Sequence, residues 1–103
     1  MALALSTSFQ AVASGDIIRI DTLEIDRGYP VVYARRVNTQ YGETVLLTLQ
    51  MGEGEQNVRV YMPRRYAECF ADSDIEEINN GVKLYKLFYR GKQGTAFLLN
   101  LEL

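Results

Sequence analysis

Tyr29–Tyr66 reads YPVVYARRVNTQYGETVLLTLQMGEGEQNVRVYMPRRY, and its alternation decides the fold class. Three strands are predicted within it: Pro30–Val37, Thr44–Gln50 and Asn57–Met62. In the second, Val45, Leu47 and Leu49 share one face; in the third, Val58, Val60 and Met62 do. That is the period-two pattern of a half-buried sheet. The first strand is mixed on both faces, with Val31, Tyr33, Arg35 and Val37 opposed to Val32, Ala34 and Arg36, which suits a long curved strand that changes the face it buries. Asn38-Thr39-Gln40-Tyr41-Gly42 supplies a hairpin corner. Met51-Gly52-Glu53-Gly54-Glu55-Gln56 is a second loop, without the spacing or the lysine of a phosphate-binding P-loop.

Beyond Pro63 the texture changes. Arg64–Phe70 is a candidate helical turn, and Ser73-Asp74-Ile75-Glu76 matches a capping box at the start of a helix over Asp74–Asn80, stopped at Asn80-Gly81. Ile75 and Ile78 give it one narrow apolar stripe, with Tyr66 and Phe70 expected beside it. A fourth strand, Val82–Arg90, and a fifth, Thr95–Leu103, are joined by a tight turn at Gly91-Lys92-Gln93-Gly94. Upstream, residues 1–22 read as a leader without the basic start of an export signal. Within it Asp16–Ile20 is a candidate short strand, and residues 23–103 form the domain.

One hundred and three residues make a single domain with one core. No run is long and apolar enough to span a membrane. The lone Cys69 excludes an internal disulfide, points to a reducing, intracellular setting (nucleus, cytoplasm or a viral replication site), and is expected to be buried beside the helix. With no histidine, no calcium-loop spacing and no nucleophile with a recognisable partner, an enzyme, a metal site or a cofactor site is not expected.

The net charge of −2 conceals an uneven distribution. Acids dominate residues 67–80, where Glu68, Asp72, Asp74, Glu76 and Glu77 have no base among them, whereas Lys83, Lys86, Arg90 and Lys92 face only Glu102 in residues 81–103. Local field, not the total, decides polyanion binding. Arg59 and Tyr61 lie on the polar face of the third strand and are followed by Arg64, Arg65 and Tyr66. Interleaved arginines and tyrosines there suit a nucleic acid: rings stack on bases while guanidinium forks grip phosphates. The bland alternatives are core packing for Tyr29, Tyr33 and Tyr89, ion pairing of Arg64 and Arg65 with the acidic helix, and solubilising edge charges for Lys86, Arg90 and Lys92.

Five strands with a helix between the third and fourth resemble the OB-fold, a five-stranded antiparallel Greek-key barrel, and specifically its single-stranded-DNA-binding members, replication protein A-like or viral and mobile-element relatives. The residues that carry the resemblance are Tyr29-Pro30-Val31, Thr39–Gly42 running into Val45–Leu49, Val58–Pro63 with Arg64-Arg65-Tyr66, Ile75–Gly81 and Leu87–Gly91. It implies sequence-independent binding of single-stranded DNA in replication, recombination or strand protection. The implied ligand surface comprises Arg35, Arg36, Tyr41, Arg59, Tyr61, Arg64, Lys86, Phe88, Arg90 and Lys92. A homo-oligomer or a replication-protein partner is also implied, since one domain covers few nucleotides. The alternatives are a protein-interaction module of the same fold and single-stranded RNA as ligand.

Overall fold

The structure, a computed structural model, describes residues 15–52 and 54–103; most of the leader therefore lies outside the described residues. The fold is mainly β. Its elements are β1 (Asp16–Ile17), a 3-10 turn (Ile20–Thr22), β2 (Gly28–Thr39), β3 (Gly42–Leu49), β4 (Val58–Tyr61), α1 (Arg64–Ala67), α2 (Asp72–Asn79), β5 (Lys86–Gln93) and β6 (Ala96–Glu102). The six strands form one sheet in the order β1-β4-β3-β2-β5-β6. This corrects the five-stranded antiparallel barrel in three respects: β1 is a sixth strand, it runs parallel to β4, and β6 makes no ladder with β4 or β1. The sheet is open.

β2 is the strand that all the others depend on. Along Val31–Thr39 it pairs with β3, but only Gly28, Tyr29 and Pro30 pair with β5, and Val31 N–H then donates to Tyr85 O at 2.9 Å. An irregularity between Val31 and Tyr33 inserts Val32 as an extra residue, so β2 shifts its alternation midway, as its mixed faces foretold. Tyr29, Val31 and Ala34 enter the core with Val45, Leu47 and Leu49 of β3, Val60 of β4, Leu87 and Tyr89 of β5 and Leu99 of β6. Ile20 and Leu23 are buried in the same core. The Tyr29 hydroxyl accepts the Glu24 N–H at 2.9 Å, so burying that ring leaves no polar atom unpaired.

Past Val31, β2 has no strand on its β5 side among the described residues. The side chain of Asn79, at the end of α2, takes that place: its Oδ1 accepts the Ala34 N–H at 2.8 Å and its Nδ2 donates to Ala34 O at 2.9 Å. An asparagine amide offers the same donor and acceptor pair as a peptide, and here it continues the ladder. The other end of α2 is tied to β2 by Arg36, whose Nη2 donates to Phe70 O at 2.6 Å and Nε to Asp72 Oδ1 at 2.9 Å. Ile78 is buried and Ile75 partly so, against Phe70 and Tyr66, as the stripe predicts.

Local differences have local causes. α2 begins two residues early, because Asp74, not Glu76, reaches back: its Oδ2 accepts the Ala71 N–H at 2.9 Å and Ser73 lies inside the helix. β5 starts at Lys86 and not Val82, because Val82 and Lys83 N–H groups still donate to Glu77 O. The β5–β6 turn is at Gly94-Thr95; Gly91 instead sits at a bulge, with φ of 101° that an L side chain rarely adopts. Cys69 is exposed and not buried, since Ala67 and Phe70 are the residues of that segment that turn into the core. No helix among the described residues is long and apolar enough to cross a membrane.

Replacing Asn79 with alanine leaves the Ala34 amide and carbonyl unpartnered at a partly buried site. A loss of about 1–2 kcal/mol is expected, measurable as a lower urea midpoint with unchanged m-value. Asn79→Asp should also destabilise, because it keeps the acceptor but sets a carboxylate against the Ala34 carbonyl.

Candidate nucleic-acid interface

Register places the expected ligand residues. Arg35, Leu46 and Tyr61 are directly opposed across β2, β3 and β4, and so are Tyr33, Thr48 and Arg59. Opposed residues share a face, so Arg35, Arg59 and Tyr61 do lie on the one face turned away from the core. The middle of that face is closed, however. Leu46 and Thr48 are shielded from solvent, which buries both faces of β3, and the Arg59 Nε donates to Gly15 O at 2.7 Å, holding the β1 segment. Arg35 remains exposed with no ion-pair partner among the described residues. Arg36 cannot join it, since neighbours along a strand point to opposite faces; it is opposed to core residue Val45 and is committed to Asp72 and Phe70.

Lys86, Phe88 and Arg90 form a separate patch. They are on β5, and β2 and β3 separate that strand from β4, about 14 Å across the ladder. The Phe88 ring lies across Gly28, where a Cβ would come within 2.8 Å of it. Arg90 stacks on that ring at 4.7 Å and pairs with Asp26 at 2.7 Å and Glu102 at 2.9 Å. The hydrogen bond that the Arg90 guanidinium donates to Asp26 is the main cause that raises it above its ordinary pKa. Lys86 is exposed. The Gly91 bulge turns Lys92 away from this patch and sets it opposite Phe97, its Nζ 5.1 Å above that ring.

What the chain brings together is Tyr41, Tyr61 and Arg64. The β2–β3 turn is two residues, Gln40-Tyr41, between the paired Thr39 and Gly42. Thr39 Oγ1 ties it down, donating to Gly42 O at 2.8 Å and accepting the Tyr41 N–H at 3.1 Å. Tyr41 is thereby held 80 % exposed and Tyr61, at the end of β4, 42 % exposed. With Arg64, Thr44 and Met62 they line a groove of about 470 Å³. Arg64 is at the first turn of α1, placed there by Pro63, which ends β4 and begins the helix. A Cβ on Gly42 would stand 3.8 Å from the Arg64 guanidinium carbon, so that cation lies against the turn. Among the described residues it has no carboxylate partner, unlike the pairing with the acidic helix that its position suggests. Arg65 is otherwise engaged: it stacks on Tyr66 at 4.7 Å and donates to Phe97 O at 2.6 Å.

Exposed aromatic rings flanking an unpaired guanidinium can accept a stacked base and its phosphate together. Sequence does not single out Arg19, Phe97 and Asp21: Phe97 meets Lys92 only through the register that the Gly91 bulge sets, and Arg19 and Asp21 come from a 3-10 turn remote in sequence. A scan against protein-family models, a search of curated proteins and a search of solved structures each found no match to this chain.

Arg36→Ala and Arg64→Ala should separate structural from ligand roles. The first removes bonds that hold α2 to β2 and should cost about 1–2 kcal/mol; the second should leave stability within about 0.5 kcal/mol. Paired thermal melts check this.

Proposed function

We propose that this chain binds single-stranded DNA with little sequence preference, at the groove between the β2–β3 turn, Tyr61 and Arg64. The observation that carries the reading is the convergence of two exposed tyrosines on an arginine with no carboxylate partner among the described residues. Bases stack on any aromatic face, which makes such a platform tolerant of sequence. Duplex has no unstacked base to offer it.

The arrangement of strands also supports an OB-like reading. β2 is shared between a β4-β3-β2 meander and a β2-β5-β6 meander, with the helices between β4 and β5. β4 and β6, the pair that would close such a barrel, form no ladder; α1, which follows β4, reaches β6 by side chains: the Tyr66 hydroxyl accepts the Leu99 N–H at 3.1 Å and Arg65 holds Phe97 O. In such a fold the ligand crosses the strands corresponding to β3 and β4, next to the β2–β3 turn, where Tyr41 and Tyr61 are. Most of the other expected cations are already paired, so a single domain grips few phosphates, and several copies along one strand would supply the affinity.

Fluorescence anisotropy with labelled oligo-dT, oligo-U and duplex at two salt concentrations tests the reading. Oligo-dT should bind more tightly than duplex and weaken with salt. Tyr61→Ala should cost about 1–3 kcal/mol of binding, and Arg64→Ala should lower the salt slope by about 0.7. Equal affinity for duplex, or no binding at low salt, would sink it.

A further inference from the structure

The groove beside Arg64 does not end at Tyr61. Tyr61 and Met62 also line a second cleft of about 480 Å³, in the gap between β4 and β6, whose other walls include Ile17, Arg19 and Phe97. The two depressions adjoin where they share Tyr61 and Met62, and together they mark out a track with Tyr61 at its midpoint. At the far end of the track a single carboxylate holds two cations. Asp21 Oδ2 accepts from Arg19 Nη2 at 2.9 Å and lies 3.7 Å from Lys92 Nζ. The same Lys92 ammonium covers the Phe97 ring. One negative charge cannot neutralise two positive ones, so this cluster retains an excess positive charge beside an aromatic ring. The Arg19 side chain is 74 % exposed, while Asp21 is 24 % exposed.

We infer that Arg19, Lys92 and Phe97 form a second subsite for the same single strand, with Asp21 as its built-in competitor. The inference rests on the reading of Tyr41, Tyr61 and Arg64 as the first subsite. In the free protein Asp21 occupies both cations and Lys92 covers the ring. An incoming phosphate exchanges with the Asp21 carboxylate, drawing the ammonium aside and opening the Phe97 face to a base. Tyr41, Tyr61 and Phe97 then serve successive bases along the track, and the carboxylate sets the affinity of its distal end. A purely structural Asp21 has the opposite consequence: removing it would loosen the 3-10 turn and could not tighten a ligand.

Anisotropy on the full chain with labelled oligo-dT of about four and about twelve nucleotides, which brackets the lower part of the site-size range of such domains, distinguishes these. Asp21→Asn should bind the longer oligonucleotide about three- to fivefold more tightly and steepen its salt slope by about 0.7, with little change for the shorter one. Phe97→Leu should weaken the longer oligonucleotide about five- to tenfold. Because Phe97 is half-buried, Lys92→Ala provides a second loss variant outside the core, and its salt slope should fall. If wild type binds and Tyr61→Ala weakens it, while Asp21→Asn and Lys92→Ala match wild type on the longer oligonucleotide, the second subsite is overturned and the first stands. If wild type binds neither oligonucleotide, both are overturned. Tighter binding of oligo-U than oligo-dT overturns the assignment to DNA.

Discussion

A strand that has lost its neighbour must find another partner for its backbone, and the architecture follows from how β2 does so. Past Val31, β5 has ended and the Ala34 peptide groups face no ladder; the Asn79 amide completes them. That pair of hydrogen bonds fixes the end of α2 on the sheet, and Arg36 fixes its start. With α2 so placed, Ile78 and Phe70 complete the core, and α1 holds Arg65 and Tyr66 against the edge of β6. The helices thus substitute for strand pairing at two places, beside β2 and across the β4–β6 gap. An open sheet is held in a curled form without an uninterrupted ladder.

The same economy decides which cations remain for a ligand. Arg59 holds β1, Arg36 holds α2, Arg90 is pinned between Asp26 and Glu102, and Arg27 donates to Met51 O while stacking on Tyr29. Arg64 escapes because α1 is only one turn long and the acids of α2 are tied up or directed elsewhere, Asp74 in its own helix start and Asp72 on Arg36. Tyr41 escapes because a two-residue turn has no interior in which to bury a ring. Two exposed tyrosines and an arginine without a carboxylate partner among the described residues therefore meet at one end of the sheet.

Much of this was legible in the sequence, where local periodicity determined the outcome. The alternation of Val45, Leu47 and Leu49, the glycine at the β2–β3 corner, the break at Pro63 and the stripe of Ile75 and Ile78 are all short-range signals, and each appears in the structure. The site was legible only in part. That Arg59 and Tyr61 leave the core follows from period two, but that Arg59 is used by Gly15, forty-four residues away, does not. The resemblance put both Arg35 and Arg36 on the ligand surface, and the pleat sends them to opposite faces. Lys86, Phe88 and Arg90 appeared to join Tyr61 only if the barrel wrapped more tightly than it does. A single inserted residue at the Gly91 bulge moved Lys92 to another surface. Sheet order and bulges are global properties, and net charge pattern says nothing of which carboxylate a given arginine will meet.

The central claim is that the ligand surface is the end of the sheet where Tyr41, Tyr61 and Arg64 meet, while Asn79 and Arg36 serve the fold alone. An amide ¹⁵N–¹H spectrum of the full chain, titrated with oligo-dT, tests both halves at once. The account predicts shifts centred on Tyr41, Gly42, Tyr61 and Arg64, with Ala34 and the Asn79 side-chain amide unmoved. Shifts centred on the Lys86–Arg90 patch or on α2, with the β2–β3 turn silent, would contradict it.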